Sequence, residues 1–149
     1  MNVIFLDFNG VLDTNEKMDE INIDNLKRLK RIVEETASKV VISSSKKNGY
    51  WRTGKISSSL QEILDALQNE GIEVIGFTPY LDERELEIKT YLENHPEIDN
   101  FCIIDDDYYM ESFKDNLVKL PNQIEKGQKG LDEFHTEASI KILKKQITN

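Results

Sequence analysis

Side chains that can bind metal and phosphate follow three apolar segments of the sequence, at the point where each segment ends. Asp7 follows the first, three serines end the second, and three consecutive aspartates, Asp105 to Asp107, follow another. If these segments are parallel strands, their carboxyl ends meet at one edge of a sheet, where ligands bind in open α/β folds. Carboxylates crowded there repel one another unless a cation lies among them. Oxygen ligands without histidine or cysteine suit Mg²⁺, so we predict a magnesium and phosphate site at this edge.

The elements that must position these residues alternate between strands and helices. The apolar runs predict strands at Val3–Leu6, Lys39–Ser43, Ile72–Phe77, Phe101–Ile104 and Leu117–Leu120. Helical spacing predicts helices at Asn22–Thr36, Ser59–Asn69, Glu83–Asn94 and Asp132–Gln146. Because the first, second and fourth strands read as nearly continuous apolar runs, both faces of the sheet should be covered. We therefore expect one α/β domain over residues 1–149, a three-layer sandwich with a mainly parallel five-stranded sheet.

Two segments are longer than ordinary connections, Lys46–Ser58 and Pro121–Gly130. The first mixes basic residues with tyrosine and tryptophan just beyond a strand end. We expect it to be a loop whose side chains contact the substrate, with Ser45, Lys46, Trp51 and Arg52 as the candidates. The alternative is that Trp51 packs against the domain and the basic residues only offset local acid.

Charge and cysteine content restrict the class of protein. With 28 acidic and 19 basic residues, the net charge of -9 disfavours non-specific binding to nucleic acid, which needs a clustered basic surface. The single cysteine forms no intramolecular disulfide, and no segment reaches the roughly 18 apolar residues of a membrane span. We expect a soluble, cytoplasmic protein.

Residues 7–14, Asp-Phe-Asn-Gly-Val-Leu-Asp-Thr, resemble the first motif of the haloacid dehalogenase (HAD) superfamily, Asp-x-Asp-Gly-x-(Leu/Val)-x-x-Thr. In that motif the first aspartate is the nucleophile that accepts a phosphoryl group. Ser44 resembles the second-motif residue that holds a phosphate oxygen, and Asp105-Asp106 resemble the paired acids of the fourth motif. The resemblance implies the Rossmann-like HAD fold and a Mg²⁺-dependent phosphatase.

The segment from Arg84 to Asp107 is similar to a pattern of a small HAD-like branch associated with RNA-repair ("Swiss army knife") proteins, and so is Gly130-Leu131-Asp132-Glu133-Phe134-His135. That pattern makes Arg84 the first candidate for the cation that faces the phosphoryl group, and Lys89 the second. Neither place where this superfamily inserts a cap domain has room for one, so the site should be open. The substrate implied is a phosphomonoester, either a small one or a nucleic-acid end.

In the expected mechanism Asp7 attacks phosphorus, while Mg²⁺ is held by Asp7, the backbone carbonyl of Asn9, and Asp105 or Asp106. Ser44, with a neighbour such as Ser45, would donate hydrogen bonds to the phosphoryl oxygens. The spacing does not choose among Ser43, Ser44 and Ser45, because a shift of one residue changes which hydroxyl faces the phosphate.

Position 9 departs from the motif. Phosphatases of the superfamily carry a second aspartate there as general acid and base, and the amide of Asn9 cannot transfer that proton. General acid-base assistance is worth about 10²- to 10⁴-fold, so we expect weak hydrolysis. Asp13, on the same loop, is a conceivable substitute, although a role in the turn into the following segment is favoured for it. The alternative is a non-catalytic module that binds Mg²⁺ and phosphate, and a dehalogenase is disfavoured because the paired acids and the cation match phosphate chemistry.

Overall fold

Five parallel strands form the central sheet of this computed structural model, which describes residues 1–145. The strands are β1 (Asn2–Leu6), β2 (Ser38–Ile42), β3 (Val74–Phe77), β4 (Asn100–Asp105) and β5 (Leu117–Lys119). Their order across the sheet is β3-β2-β1-β4-β5, and each pair of neighbours is parallel. The predicted α/β fold with a five-stranded, Rossmann-like sheet is confirmed.

Helices cover both faces of this sheet. They are α1 (Ile23–Thr36), α2 (Asn48–Thr53), α3 (Ser58–Asn69), α4 (Arg84–Glu93) and α5 (Glu133–Lys144). The four predicted helices correspond to α1, α3, α4 and α5, and the predicted end of the last one, Gln146, lies outside the described residues.

Alternation of side chains along the strands divides the core in two. In β1, Ile4 and Leu6 belong to the larger core beneath α1, α3 and α5, whereas Val3 and Phe5 belong to the smaller core beneath α4. Asp7 is the next residue after Leu6 in this alternation. It therefore continues the row of Val3 and Phe5 on the face covered by α4.

Side-chain caps fix where three helices begin. Asn22 accepts a hydrogen bond from the backbone N–H of Asn25, Ser57 from that of Leu60, and Asp132 from that of His135. Each satisfies a donor that the first helical turn leaves unpaired, so these polar residues set the helix starts close to their predicted positions.

The third strand and the segment Lys46–Ser58 differ from the predictions by more than one residue at an end. The third strand begins at Val74 rather than Ile72, because Ile72 still closes the end of α3 through a hydrogen bond from its N–H to the carbonyl of Leu67. The segment predicted as the loop Lys46–Ser58 contains α2, preceded by a 3₁₀ turn over Ser45–Lys47. A six-residue helix has no measurable periodicity, and this one is held by packing of Tyr50 on Phe77 rather than by helix propensity.

The connections that would carry a cap domain are short. Residues 7–22 and 78–83 link β1 to α1 and β3 to α4 without further helix or strand in either. Among residues 1–145, no helix has the length and apolar content needed to cross a membrane.

Candidate active site

Three carboxylates meet at the carboxyl edge of the sheet. Asp7 follows β1, while Asp105 ends the neighbouring β4 and Asp106 follows it. One oxygen of each lies within 4.8 Å of the others, and the three side chains belong to residues only 7%, 0% and 5% exposed. The register of the sheet explains the meeting, because Leu6 is paired with Ile104 and the Asp7 N–H donates to the Ile104 carbonyl at 3.1 Å. The predicted juxtaposition of these aspartates is thus present.

The cluster is electrostatically costly in the absence of a cation. Burial, together with the charge of Asp105, raises the pKa of Asp7 well above its ordinary value, and the charge of Arg84 only partly opposes this. Burial also raises the pKa of Asp105, although Arg84 and the backbone N–H groups of Asp107 and Tyr108 favour its charged form. A divalent cation among the three carboxylates would favour their charged forms and so oppose the rise in both pKa values. The possible ligand atoms are all oxygens, which suits Mg²⁺.

Gly10 brings the first motif directly against Asp106. Its φ of +79° lies in the left-handed region, and a Cβ built on it would lie 2.1 Å from Asp106 Oδ2. Only glycine satisfies both conditions. The glycine of the motif therefore sets the distance between the loop after β1 and the acids after β4.

Arg84, the first residue of α4, points its guanidinium at the carboxylates. Its Nη1 lies 2.6 Å from Asp105 Oδ2 and 3.6 Å from Asp7 Oδ1, and the group stacks 5.0 Å from the centre of the Tyr108 ring. Lys89, the second candidate cation, is exposed on the same helix. Of the two predicted cations, the structure brings Arg84 to the site and leaves Lys89 in solvent.

A second cation, Lys47, was missed from the sequence. Its side chain is completely buried, and its Nζ donates to Glu87 Oε1 at 3.0 Å and to Asn48 Oδ1 at 3.2 Å. Burial lowers the pKa of Lys47, whereas its partner Glu87 and the nearby Asp7 raise it. Lys47 and Arg84 together line a cavity of about 180 Å³ between Tyr80 and Tyr108. The site therefore contains two positive side chains beside the aspartates.

The Asn9 side chain is directed into a network of carboxylates. Its Nδ2 donates to Asp13 Oδ2 and to Asp19 Oδ1, both at 2.8 Å. Asp13 is fully buried and also accepts hydrogen bonds from the N–H groups of Gly10 and Asp19 and from the Gln123 amide. With four donors on its two oxygens, Asp13 holds the loop together and is poorly placed to replace a general acid.

The three serines after β2 differ in their surroundings. Ser43 continues the row of Val41 toward α4, the face of Asp7, and its buried Oγ has no hydrogen-bond partner among residues 1–145. Ser44 caps the 3₁₀ turn by accepting from the Lys46 N–H at 3.2 Å. Ser45 is exposed and lines the cavity shared by Lys47 and Arg84. All three lie at the edge that carries Asp7.

The remaining predicted substrate residues lie on or before α2. Lys46 is only partly exposed, because its Nζ donates to Asp19 Oδ1 and Ser59 Oγ, each at 3.0 Å, and lies over the Phe8 ring. Trp51 is 49% exposed, with its indole N–H donated to the Thr78 carbonyl at 2.9 Å. Arg52 is exposed in the last turn of α2. Lys46 therefore tethers the first-motif loop, while Trp51 and Arg52 face solvent.

A five-stranded parallel sheet with acids from its two central strand ends, and no cap domain in the described chain, defines a HAD-like, phosphatase-type domain. Residues 3–132 match the model of the family described as the HAD domain in Swiss Army Knife RNA repair proteins, so the chain belongs to that family. No curated protein matches the sequence significantly.

Proposed function

We propose that this chain is a Mg²⁺-dependent phosphoric monoester hydrolase that works through an aspartyl-phosphate on Asp7. The observation that carries the proposal is the buried cluster of Asp7, Asp105 and Asp106, with the Arg84 guanidinium directed into it. Four buried carboxylates, these three and Glu87, lie near two buried cations, Arg84 and Lys47. A divalent cation would offset the negative charge that these carboxylates carry beyond the two cations.

Asp7 is the group that attacks. Its carboxylate forms a bond to phosphorus while the bond from phosphorus to the leaving oxygen breaks, and the departing oxygen leaves as an anion that takes a proton from water. Water then attacks the acyl phosphate, which restores the Asp7 carboxylate and releases phosphate. The depth of Asp7 in the edge of the sheet excludes bulk water from the nucleophile and strengthens its interactions with nearby charges.

Arg84 and a serine hydroxyl are the groups that stabilise charge on the transferred phosphoryl oxygens. Arg84 presents a planar fork suited to two oxygens at once. Ser44 is the candidate from the motif, and the buried Oγ of Ser43, which has no hydrogen-bond partner among residues 1–145, supports that residue as a second donor. Asp7, the backbone carbonyl of Asn9, and Asp105 or Asp106 would hold Mg²⁺. When bound, this ion would polarise the phosphoryl group and screen the nucleophile from the incoming anion.

Asn9 limits the reaction that the site can perform. Both amide hydrogens of Asn9 are donated to carboxylates, and an amide has no proton to give to a leaving alkoxide. Slow turnover restricted to good leaving groups follows. The same observation favours the second candidate function, a module that binds Mg²⁺ and phosphate without turnover.

The substrate class follows from the open site and the family. The family belongs to proteins of RNA repair, which supports a phosphorylated nucleic-acid end, and the absence of a cap in the described chain supports a macromolecular phosphate as well. A small phosphomonoester remains the other substrate that the cavity beside Arg84 fits, at about 180 Å³.

The proposal is tested by hydrolysis of p-nitrophenyl phosphate, whose leaving group needs little protonation. We expect slow turnover that requires Mg²⁺, is lost in Asp7→Asn, and is retained in Asp107→Asn, whose side chain is the exposed neighbour of the acidic pair. A binding module would show no turnover in any variant, yet Mg²⁺ and phosphate together would still raise its unfolding temperature.

A further inference from the structure

A second cavity, of about 500 Å³, lies between α2, β3 and α4 and has no part in the phosphoryl site. Aromatic side chains from all three elements line it. Tyr50, Trp51 and Phe77 come from α2 and β3, and Tyr91 and His95 come from α4 and the residues that follow it. We refer to this cavity as the aromatic slot.

The walls of the aromatic slot are held rigidly. Tyr50 packs edge-on against both Trp51 and Phe77, with ring centres 5.3 Å apart in each pair. On the side of the slot formed by α4 and the residues after it, the rings of Tyr91 and His95 stack 3.8 Å apart and nearly parallel. Trp51 keeps half of its surface exposed although its indole N–H is bound to Thr78. An anchored but exposed indole is typical of a surface that a planar ligand covers.

Hydroxyl, amide and imidazole groups supply the polar part of the aromatic slot. Thr90 and Asn94 contribute a hydroxyl and an amide, whereas no carboxylate, lysine or arginine is among the lining residues. A flat ring whose edge carries hydrogen-bond donors and acceptors matches this chemistry better than an ion or a purely apolar chain does. At 500 Å³ the slot is of the size that accepts small organic ligands.

The segment of the chain that contributes Tyr50 and Trp51 to the slot is rich in basic residues. Residues 36–61 contain five basic residues and no acidic one, in a sequence whose net charge is -9. Three of the five pair with acids, while Arg52 and Lys55, which follow Trp51, are exposed and have no ion pair within the described part of the chain. A ligand with a neutral planar ring and a negatively charged group is therefore favoured at this surface.

We propose that the aromatic slot binds a nucleobase. The slot and the phosphoryl site are adjacent, because Pro79 lines the slot and the next residue, Tyr80, lines the cavity that contains Arg84. A nucleotide bound by its base would hold its phosphate near that cavity. This link to catalysis rests on the proposed function, whereas binding of the base does not.

Trp51 is the only tryptophan in the chain, so its fluorescence reports directly on the slot. We expect adenosine to quench this fluorescence saturably and ribose 5-phosphate, which has no base, to leave it unchanged. Thr90→Phe, which fills the slot from α4, should weaken adenosine binding about 10-fold, the loss expected for one stacked base. Glu93→Phe places the same side chain at an exposed position outside the slot and should bind as the native protein does.

Asp7→Asn separates this inference from the proposed function, since it should abolish turnover and leave quenching by adenosine intact. A short single-stranded oligonucleotide distinguishes the source of the base. Tighter, salt-sensitive binding than that of AMP indicates a strand end, and equal binding indicates a free nucleotide. Absence of saturable quenching by adenosine, or equal quenching in Thr90→Phe and Glu93→Phe, would overturn the proposal. Absence of quenching by adenosine would also be expected if the true occupant were an extended peptide paired along β3.

Discussion

Asn9 occupies the position where the motif requires a proton donor, and its surroundings are adapted to an amide. Its two Nδ2 hydrogens bridge Asp13 and Asp19, and Asp19 is bound in turn by the Lys46 ammonium. Hydrogen bonds from Asn9 and Lys46 lower the pKa of Asp19. An aspartate at position 9 would bring a third carboxylate into contact with two others. Asn9 therefore tethers the segment that follows the first motif, and it also leaves the site without the general acid that an aspartate would supply there.

For this reason Asn9→Asp alone should give little activity. Loss of the two charge-assisted hydrogen bonds should destabilise the fold by about 1 to 3 kcal/mol. The double variant Asn9→Asp/Asp19→Asn removes one facing carboxylate and supplies an amide donor in its place. We expect it to recover the unfolding temperature and to hydrolyse p-nitrophenyl phosphate about 10²-fold or more faster than the native chain. Asp19→Asn alone is the control and should not be accelerated; equal rates in all four proteins would show that position 9 is not limiting.

The sequence pattern identified the acids of the site because they come directly after apolar runs that are typical of buried strands. Asp7, Asp105 and Asp106 share that signal, and Arg84 was identified through the family pattern. Lys47 gave no such signal, since a lysine in a basic, polar segment is normally exposed and its burial depends on Glu87, forty positions away. The distinct environment of Ser43 likewise depends on the register of β2 against β1.

At the scale of elements, one buried ion pair joins the segment after β2 to α4. Glu87 accepts from Lys47 Nζ at 3.0 Å and from the Leu81 N–H at 2.9 Å, and its Oε1 lies 3.9 Å from Arg84 Nε. Glu87 thus holds Lys47, Arg84 and the turn before α4 in place. This pair holds the 3₁₀ turn over residues 45–47 against α4, and aromatic contacts with β3 then define α2, so the segment is not the predicted loop.

Lys47→Met should destabilise the protein by about 3 to 5 kcal/mol, because it leaves the Glu87 carboxylate buried without its partner. Lys47→Met/Glu87→Met removes both charges and should cost clearly less than the sum of the two single changes. Lys89→Met, on the exposed side of α4, should leave the free energy of unfolding unchanged. Chemical denaturation of the native protein, Lys47→Met, Glu87→Met, the double variant and Lys89→Met measures this, and additive single and double changes would contradict a coupled pair.

Secondary structure was predictable where an element carries its own periodicity. α1 and α3 have apolar stripes and side-chain caps, and the strands that flank β1 are continuous apolar runs. α2 has six residues, one of them Gly49, and no side-chain cap, so only its contacts with β3 define it. The order of the strands, with β1 in the centre, pairs β1 with β4, which is distant in sequence, so no single element's pattern specifies it.

The whole molecule carries a net charge of -9. The aspartates of the site have a different role from the other acidic residues that produce this charge. Most of the acids are on the surface, and some of them pair there with basic side chains, as in the network of Arg31 with Glu35, Glu133 and Glu137. The site acids are buried, and burial together with their mutual repulsion raises the pKa of Asp7, so under the proposed function a bound cation would stabilise the domain.

Mg²⁺ should therefore raise the unfolding temperature of the native chain, by about 5 °C or more at saturating concentration. The rise should be absent in Asp106→Asn and retained in Asp107→Asn. With chelator present, the raised pKa of Asp7 means that its protonated form stabilises the fold at acid pH, and this contribution is lost as pH rises above 3.8 through the raised pKa. Asp7→Asn should become the more stable protein over that range. Identical pH profiles for the two proteins in chelator would contradict the electrostatic account of the cluster.

The central claim, that Asp7 is a nucleophile toward phosphorus, is tested most directly by trapping the covalent intermediate. The native chain is incubated with acetyl phosphate and Mg²⁺, quenched in acid, reduced with borohydride and analysed by peptide mass spectrometry. We predict that Asp7 is reduced to homoserine, which marks an acyl phosphate at that carboxylate, and that the product is absent without Mg²⁺ and in Asp7→Asn. Recovery of unmodified Asp7 under these conditions, or modification at another carboxylate, would contradict the account.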